Sequence, residues 1–219
     1  MNVVVTGASR GIGKTVAERF LSLGHMVWGI DILPASIKHE RYIHAVSDVR
    51  DPASLPDVPD VAVLFVNAGV QNGNDLAVNL VGAMNTAEKY VGSPALRSVL
   101  FNASASAVTG QEFPAYAASK AGVVGYMKNL AIKLAPRGVT VNAISPGGVL
   151  TSSNDPVIKD PALWKRIMDV TPLKKWATTD EIADWVIFLT LTNRSMSGQN
   201  LLIDNGEKDL NSTFVWTKE

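Results

Sequence analysis

Cysteine is absent from the 219 residues. Disulfides, thiolate metal sites and thiol nucleophiles are thereby excluded, and the composition is compatible with a reducing compartment. Charge is sparse too: only 18% of residues are charged, and twenty basic ones cancel twenty acidic ones. A chain without net charge lacks the sequence-independent field that gathers nucleic acid or an anionic membrane surface, so neither partner is expected. No uncharged apolar run reaches the roughly 18 residues of a spanning helix. The longest strongly apolar pieces, Val61–Val66 and Trp185–Leu191, have the length of buried strands or helix cores. Met1 leads directly into Val3-Val4-Val5 with no basic segment before an apolar one, so a cytoplasmic rather than a secreted protein is expected. What is plentiful is apolar: 47% of residues are hydrophobic and the mean hydropathy is +0.13. That suffices for a substantial core and is too apolar for a disordered chain.

Short β-branched runs alternate with stretches of helical period. Val3–Thr6, Met26–Ile30, Val61–Val66, Val99–Phe101, Val139–Ile144 and Leu201–Ile203 are near-continuous apolar runs, as strands covered on both faces require. Tyr42–Val46 is weaker and suits an edge. Helices are expected over Lys14–Leu23, Asp75–Val91, Ala115–Ala135, Ala162–Met168 and Asp180–Leu191, the last capped by Thr179 or Asp180. This alternation predicts an α/β fold: a single doubly wound parallel sheet of about seven strands with helices on both faces. No Gly/Ser/Pro-rich linker divides the chain, so one domain over residues 1–219 is expected.

The first strand ends in Thr6-Gly7-Ala8-Ser9-Arg10-Gly11-Ile12-Gly13, and a helical pattern follows at once. Glycines permit the tight turn, the close approach of backbone to a pyrophosphate, and close packing of helix on strand. Unpaired N–H groups at the helix start then face the phosphates. Asp31 ends the second strand, 18 residues beyond Gly13. A carboxylate there accepts hydrogen bonds from an adenosine ribose and repels a 2′-phosphate. Farther on, Tyr116-Ala117-Ala118-Ser119-Lys120 puts a phenol and an ammonium four residues apart on one helix face. A nearby cation favours phenolate, drawing the tyrosine down from its usual value of roughly 10.

Taken together, Thr6-Gly7-x-x-x-Gly11-x-Gly13, Asp48-Val49, Asn67-Ala68-Gly69, Val78-Asn79-Leu80-x-Gly82, Tyr116-x-x-x-Lys120 and Ser145-Pro146-Gly147 resemble the short-chain dehydrogenase/reductase family along nearly the whole chain. The resemblance implies a seven-stranded Rossmann sheet and hydride exchange between a nicotinamide cofactor and an alcohol or carbonyl. By it, Tyr116 is the general acid/base and Lys120 holds the nicotinamide ribose while lowering the tyrosine pKa. Ser104 hydrogen-bonds the substrate oxygen, and Asn79 holds a water that relays protons toward Lys120. The cofactor-facing set it implies begins with Gly7, Ser9, Arg10, Gly11, Ile12 and Gly13, then Asp31 and Ile32. Asp48 and Val49 would face the adenine, and Asn67, Ala68 and Gly69 the ribose side. Pro146, Gly147, Val149 and Thr151 would cradle the nicotinamide.

Asp31 favours NAD over NADP, although Arg10 offers a 2′-phosphate some help. Ser106 competes with Ser104 for the catalytic position: if both lie on the strand, their hydroxyls share one face. The connections Asp51–Asp60 and Asn67–Asn79 are abbreviated, the first to a single helical turn or none. Phe101 stands where the family often has asparagine, and Asp204-Asn205-Gly206 where Asp-Gly-Gly is usual. Ser152–Trp176 is expected to form a substrate lid, with Trp164, Ile167 and Met168 on one helical face; an apolar lid and a small helix packing its own face are equally compatible. His25, His39 and His44 lack metal-ligand partners, and no metal is expected. Ala117, Ala118, Ala121, Gly122 and Gly125 permit close helix pairing, hence a homodimer or homotetramer; the tail Glu207–Glu219, with Phe214 and Trp216, is a candidate for a subunit boundary. Two functions stay open: an NAD-dependent alcohol dehydrogenase or ketoreductase, and a catalytically idle nucleotide-binding regulator of the same fold.

Overall fold

The computed structural model describes residues 1–71, 73–110, 113–208 and 210. Seven parallel strands form one sheet: β1 (Asn2–Thr6), β2 (Met26–Asp31), β3 (Tyr42–Val46), β4 (Val61–Val66), β5 (Ser98–Asn102), β6 (Thr140–Pro146) and β7 (Asn200–Ile203), in the order β3-β2-β1-β4-β5-β6-β7. The weak Tyr42–Val46 run is the edge strand, half-exposed along its length. β4, buried at all six positions, lies next to β1 near the centre. Successive side chains of the central strands enter opposite cores. Val4, Leu64 and Val66 face one side, with Met127 and Leu130. Val3, Val5, Val63 and Phe65 face the other, with Phe20 and Ile182. A sheet buried on both faces is why these strands read as apolar runs rather than as alternations.

The helices are α1 (Gly11–Ser22), α2 (Gly82–Tyr90), α3 (Ser106–Thr109), α4 (Pro114–Leu134), α5 (Asp155–Ile158), α6 (Pro161–Val170) and α7 (Thr179–Ile187). Four details differ from the sequence reading. The expected Asp75–Val91 helix opens with a π-helical segment, Leu76–Val81, before α2. α7 ends at Ile187 and passes into a second π-helical segment, Phe188–Thr192. Its cap is Thr178, not Thr179 or Asp180: the Thr178 hydroxyl accepts from the Glu181 N–H, and the Glu181 carboxylate accepts from the Thr178 N–H. And β5 stops at Asn102, so Ser104 and Ser106 are not on a strand.

The shortened connection before β4 holds one 3₁₀ turn, Pro52–Ser54. Phe101 is fully buried, edge-to-face on Tyr126. Asn205 and Gly206 both adopt positive φ, and the Asp204 carboxylate accepts from the N–H groups of Gly206 and Lys208. Asparagine tolerates that left-handed turn. Phe214 and Trp216 lie outside the described residues.

Candidate active site

Strand order reverses about β1 and β4, and in doubly wound sheets it is at such a switch point, outside the carboxyl ends of the strands, that ligands bind. Gly7 and Gly11 take positive φ, so the turn from β1 into α1 needs them. Gly13 is needed for a different reason: a Cβ there would fall 2.1 Å from the Gly7 carbonyl oxygen and 2.6 Å from the Asn67 amide nitrogen. Ser9 is buried, Ile12 half-buried and Arg10 exposed. Beneath the loop, the fully buried Thr6 hydroxyl accepts from the N–H groups of Asn67 (2.9 Å) and Ala68 (3.0 Å), while the Asn67 side-chain amide donates to the Thr6 carbonyl. One threonine thus ties the end of β1 to the end of β4.

At the end of β2 the Asp31 carboxylate accepts from the N–H groups of Ser9 (2.9 Å) and Leu33 (3.0 Å). Ile32 beside it is exposed. The Ser9 hydroxyl donates to the Pro34 carbonyl, and the Ser36 hydroxyl to the Ser9 carbonyl, so the loop after β2 braces the glycine turn. After β3, Asp48 turns to Arg50 in a short ion pair, whose guanidinium holds the carboxyl below its ordinary range. Val49 is buried against Gly82, where a Cβ would fall 2.5 Å from it.

α4 carries both reactive side chains. The Lys120 nitrogen lies 5.8 Å from the centre of the Tyr116 ring and donates to the Asn102 carbonyl at 2.8 Å, at the end of β5. Lys120 is buried, and desolvation lowers its pKa to about 8 against an opposing pull from Asp75. Asn79, on the π-helical segment, is held by its neighbours: its Oδ1 accepts from the Val70 N–H, and its Nδ2 donates to the Val70 carbonyl and the Ser119 hydroxyl. Gly69 sits between the two groups, a Cβ there meeting Asn79 Oδ1 at 3.2 Å and Lys120 Nζ at 3.3 Å. Ser104 is half-buried past β5, and its Oγ accepts from the Ser106 backbone N–H at 3.2 Å.

The loop after β6 packs on the segment before α7. Gly147 donates its N–H to the Ile203 carbonyl, and Val149 bridges in parallel to Ala177. Gly148 packs against the Trp176 indole so closely that a Cβ would fall 1.9 Å away. Trp176 in turn meets Trp164 of α6 edge-to-face at 5.1 Å. Thr151 reaches Gly11, 3.6 Å from where its Cβ would be. The sequence-identified positions therefore gather along the carboxyl edge of one sheet. Asp48, paired with Arg50, and the exposed Ile32 and Arg10 stand at its rim. Sequence reading did not single out Asn102, whose carbonyl holds Lys120 and whose side chain donates to Asn67, nor Ser119 as partner of Asn79. Adjacency to Lys120 was the available signal for Ser119.

Residues 71–208 match the family model described as Enoyl-(Acyl carrier protein) reductase. The chain is also similar to (+)-borneol dehydrogenase 1 of Salvia officinalis, 32% identical over 95% of this chain and 94% of that one. The chain belongs to the short-chain dehydrogenase/reductase family. It is thus of an oxidoreductase family that binds NAD(P). Among solved structures, an oxidoreductase of this family from Burkholderia thailandensis superposes with a TM-score of 0.88 at 29% identity, covering 94% of this chain and 92% of that one. A relative from Agrobacterium tumefaciens with bound NADP superposes at 0.86 with 25% identity, covering 94% and 95%. Among the described residues no helix is long and apolar enough to cross a membrane.

Proposed function

We propose that this short-chain dehydrogenase/reductase exchanges a hydride between NAD(H) and a small apolar secondary alcohol or its ketone. The observation that carries the reading is the placement of Tyr116 and the buried Lys120 on one face of α4, with the lysine beside Gly69 and the end of β5. The residues fit a dinucleotide: a glycine turn at a helix start, a carboxylate at the end of β2, and a buried ammonium whose single hydrogen bond among the described residues leaves two N–H groups to give. Bound there, the nicotinamide supplies the hydride chemistry.

The chain's own groups do the rest. Tyr116 takes the hydroxyl proton of an alcohol, or returns it to a ketone, and the Lys120 charge makes the phenolate accessible. Lys120 directs its remaining N–H groups at the ribose. Ser104 donates to the substrate oxygen, where negative charge builds. With its side chain engaged by Val70 and Ser119, Asn79 orders the floor of the site, and the relaying water falls to its backbone carbonyl or the second lone pair of Oδ1. Asp31, Ile32, Asp48 and Val49 line the adenosine end, Asn67–Gly69 the ribose, and Pro146, Gly147, Val149 and Thr151 the nicotinamide. The carboxylate of Asp31 favours NAD over NADP, since a 2′-phosphate beside it sets like charges together.

Residues 1–219 act as one domain in which 152–176 cover the substrate. The half-buried Trp164, Ile167 and Met168 of α6, together with exposed Val108, Phe113 and Leu150, favour an apolar substrate. We place the enzyme in the cytoplasm as a homodimer or homotetramer paired through α4, which leaves Gly125 open and Ile132 77% exposed. The test is NADH formation or consumption with a panel of cyclic and aromatic alcohols and ketones. Tight NADH binding without turnover on any of them would make the protein a nucleotide-binding regulator instead.

A further inference from the structure

Asp75 lies in the abbreviated connection between β4 and α2 and has no part in the chemistry above. It is 4% exposed. Its Oδ2 accepts from the Gly73 N–H at 2.9 Å, while its Oδ1 is sealed from water with no hydrogen-bond partner among the described residues. A half-satisfied buried carboxylate is costly to keep unless another charge is near. Asp75 precedes Asn79 by four residues in the same helical run, close to one turn, so the two occupy neighbouring levels of one face. Asn79 Oδ1 and Lys120 Nζ flank Gly69. Asn79 thus neighbours Asp75 along its own helical run and Lys120 across Gly69.

We propose that Asp75 is a positioning residue of this active site, a buried counter-charge that keeps Lys120 an ammonium. The proposal rests on the catalytic reading of Tyr116 and Lys120 given above. Among the described residues, two titratable groups are brought to the lysine. Tyr116 comes from α4 itself, and Asp75 from the start of the helical run before α2. The end of β5 contributes the Asn102 carbonyl, and the segment after β4 contributes Gly69. Burial draws Lys120 down to about 8, and among the described residues the Asp75 charge opposes that fall. Without it, a lysine so desolvated would lose its proton near the working pH, and Tyr116 would lose the cation that makes phenolate accessible. The short connection accounts for its place: only twelve residues lead from Asn67 to Asn79, so Asp75 falls at the start of the helical run that carries Asn79.

The informative variant is Asp75→Asn, whose amide oxygen still accepts from the Gly73 N–H. In cofactor-free protein, NMR of isotope-labelled lysine should show the Lys120 midpoint about one pH unit lower than in the wild type. The rising limb of kcat for alcohol oxidation should move to higher pH, and Asp75→Glu should restore both. Asp75→Ser, smaller and equally uncharged, should lower the Lys120 midpoint in the same way, and this arm serves if Asp75→Asn does not fold. An unmoved Lys120 midpoint in folded Asp75→Asn or Asp75→Ser overturns the proposal even in an active enzyme. Moved midpoints in a protein that turns over no alcohol uphold the Asp75 assignment and count against the oxidoreductase reading alone.

Discussion

The nitrogen of Lys120 lies 5.8 Å from the centre of the Tyr116 ring. That spacing comes from four residues of one helix, and it places a cation beside the group expected to carry the proton. Tyr116→Phe should lower kcat by about 10²- to 10⁴-fold, the usual worth of a general acid/base, and leave NADH affinity nearly intact. Steady-state kinetics with a fluorescence titration of NADH checks both. Retention of more than a tenth of kcat would remove Tyr116 from the role.

Burial sets the Lys120 ammonium against folding. With its pKa near 8 in the fold and 10.5 outside it, the cost is fully present below pH 8 and is relieved as pH rises toward 10.5. The depression corresponds to roughly 3 kcal/mol, offset in part by the bond to Asn102. Lys120→Met combined with Asp75→Asn, which leaves no buried carboxylate without its counter-charge, should therefore abolish turnover and yet raise stability at neutral pH by about 1–2 kcal/mol. The gain should shrink between pH 8 and 10.5, which urea titrations across that range would read. A variant less stable than wild type at pH 7 would show that the lysine is better satisfied than its burial implies.

Ser104 and Ser106 separate once β5 is seen to end at Asn102. Ser104 Oγ receives the Ser106 backbone N–H, a bond that survives loss of the Ser106 hydroxyl. Ser104→Ala should lower kcat by roughly 10²-fold or more. Ser106→Ala should act mainly on KM. With cofactor binding unchanged in both, reversed phenotypes would transfer the catalytic role to Ser106.

Asp31 both braces Ser9 and Leu33 and confronts a 2′-phosphate. Close like charges cost between about 1 and 4 kcal/mol at the edge of a protein. Wild type should therefore prefer NAD in kcat/KM by tenfold or more, and Asp31→Ala should erase most of that preference. The same variant leaves two backbone N–H groups without their acceptor, so its Tm should fall as well. A wild-type preference for NADP would overturn the cofactor assignment.

Gly148→Ala would drive a methyl into the Trp176 indole and force apart the loop after β6 and the segment before α7. Overpacking of this kind costs about 1–3 kcal/mol. The expected result is a changed tryptophan emission, a lower Tm and a raised KM. Unchanged emission would mean that the indole does not pack on the loop in solution.

Sedimentation at micromolar protein should show a dimer or tetramer, and Ile132→Glu should shift the population toward monomer. A monomeric wild type would leave the small residues of α4 as packing residues only.

Much of this protein is legible one residue at a time, because the causes are local. Apolar runs announce strands buried on two faces, glycines announce the positive φ of the first turn, and a four-residue spacing puts Tyr116 and Lys120 on one helix face whatever surrounds them. What needed the tertiary structure is whatever depends on groups distant in sequence meeting in space. That Thr6 ties β1 to β4, that Asn102 rather than another carbonyl receives Lys120, and that Asn79 is spent on Val70 and Ser119 follow from which strand ends share an edge. The π-helical segment beneath Asn79, the cap at Thr178 and the end of β5 before Ser104 reflect hydrogen-bond competition at element ends, where propensity is weak and neighbours decide. The burial of Asp75 is the clearest case: in sequence it is an ordinary helix-start aspartate, and only the fold closes water away from it.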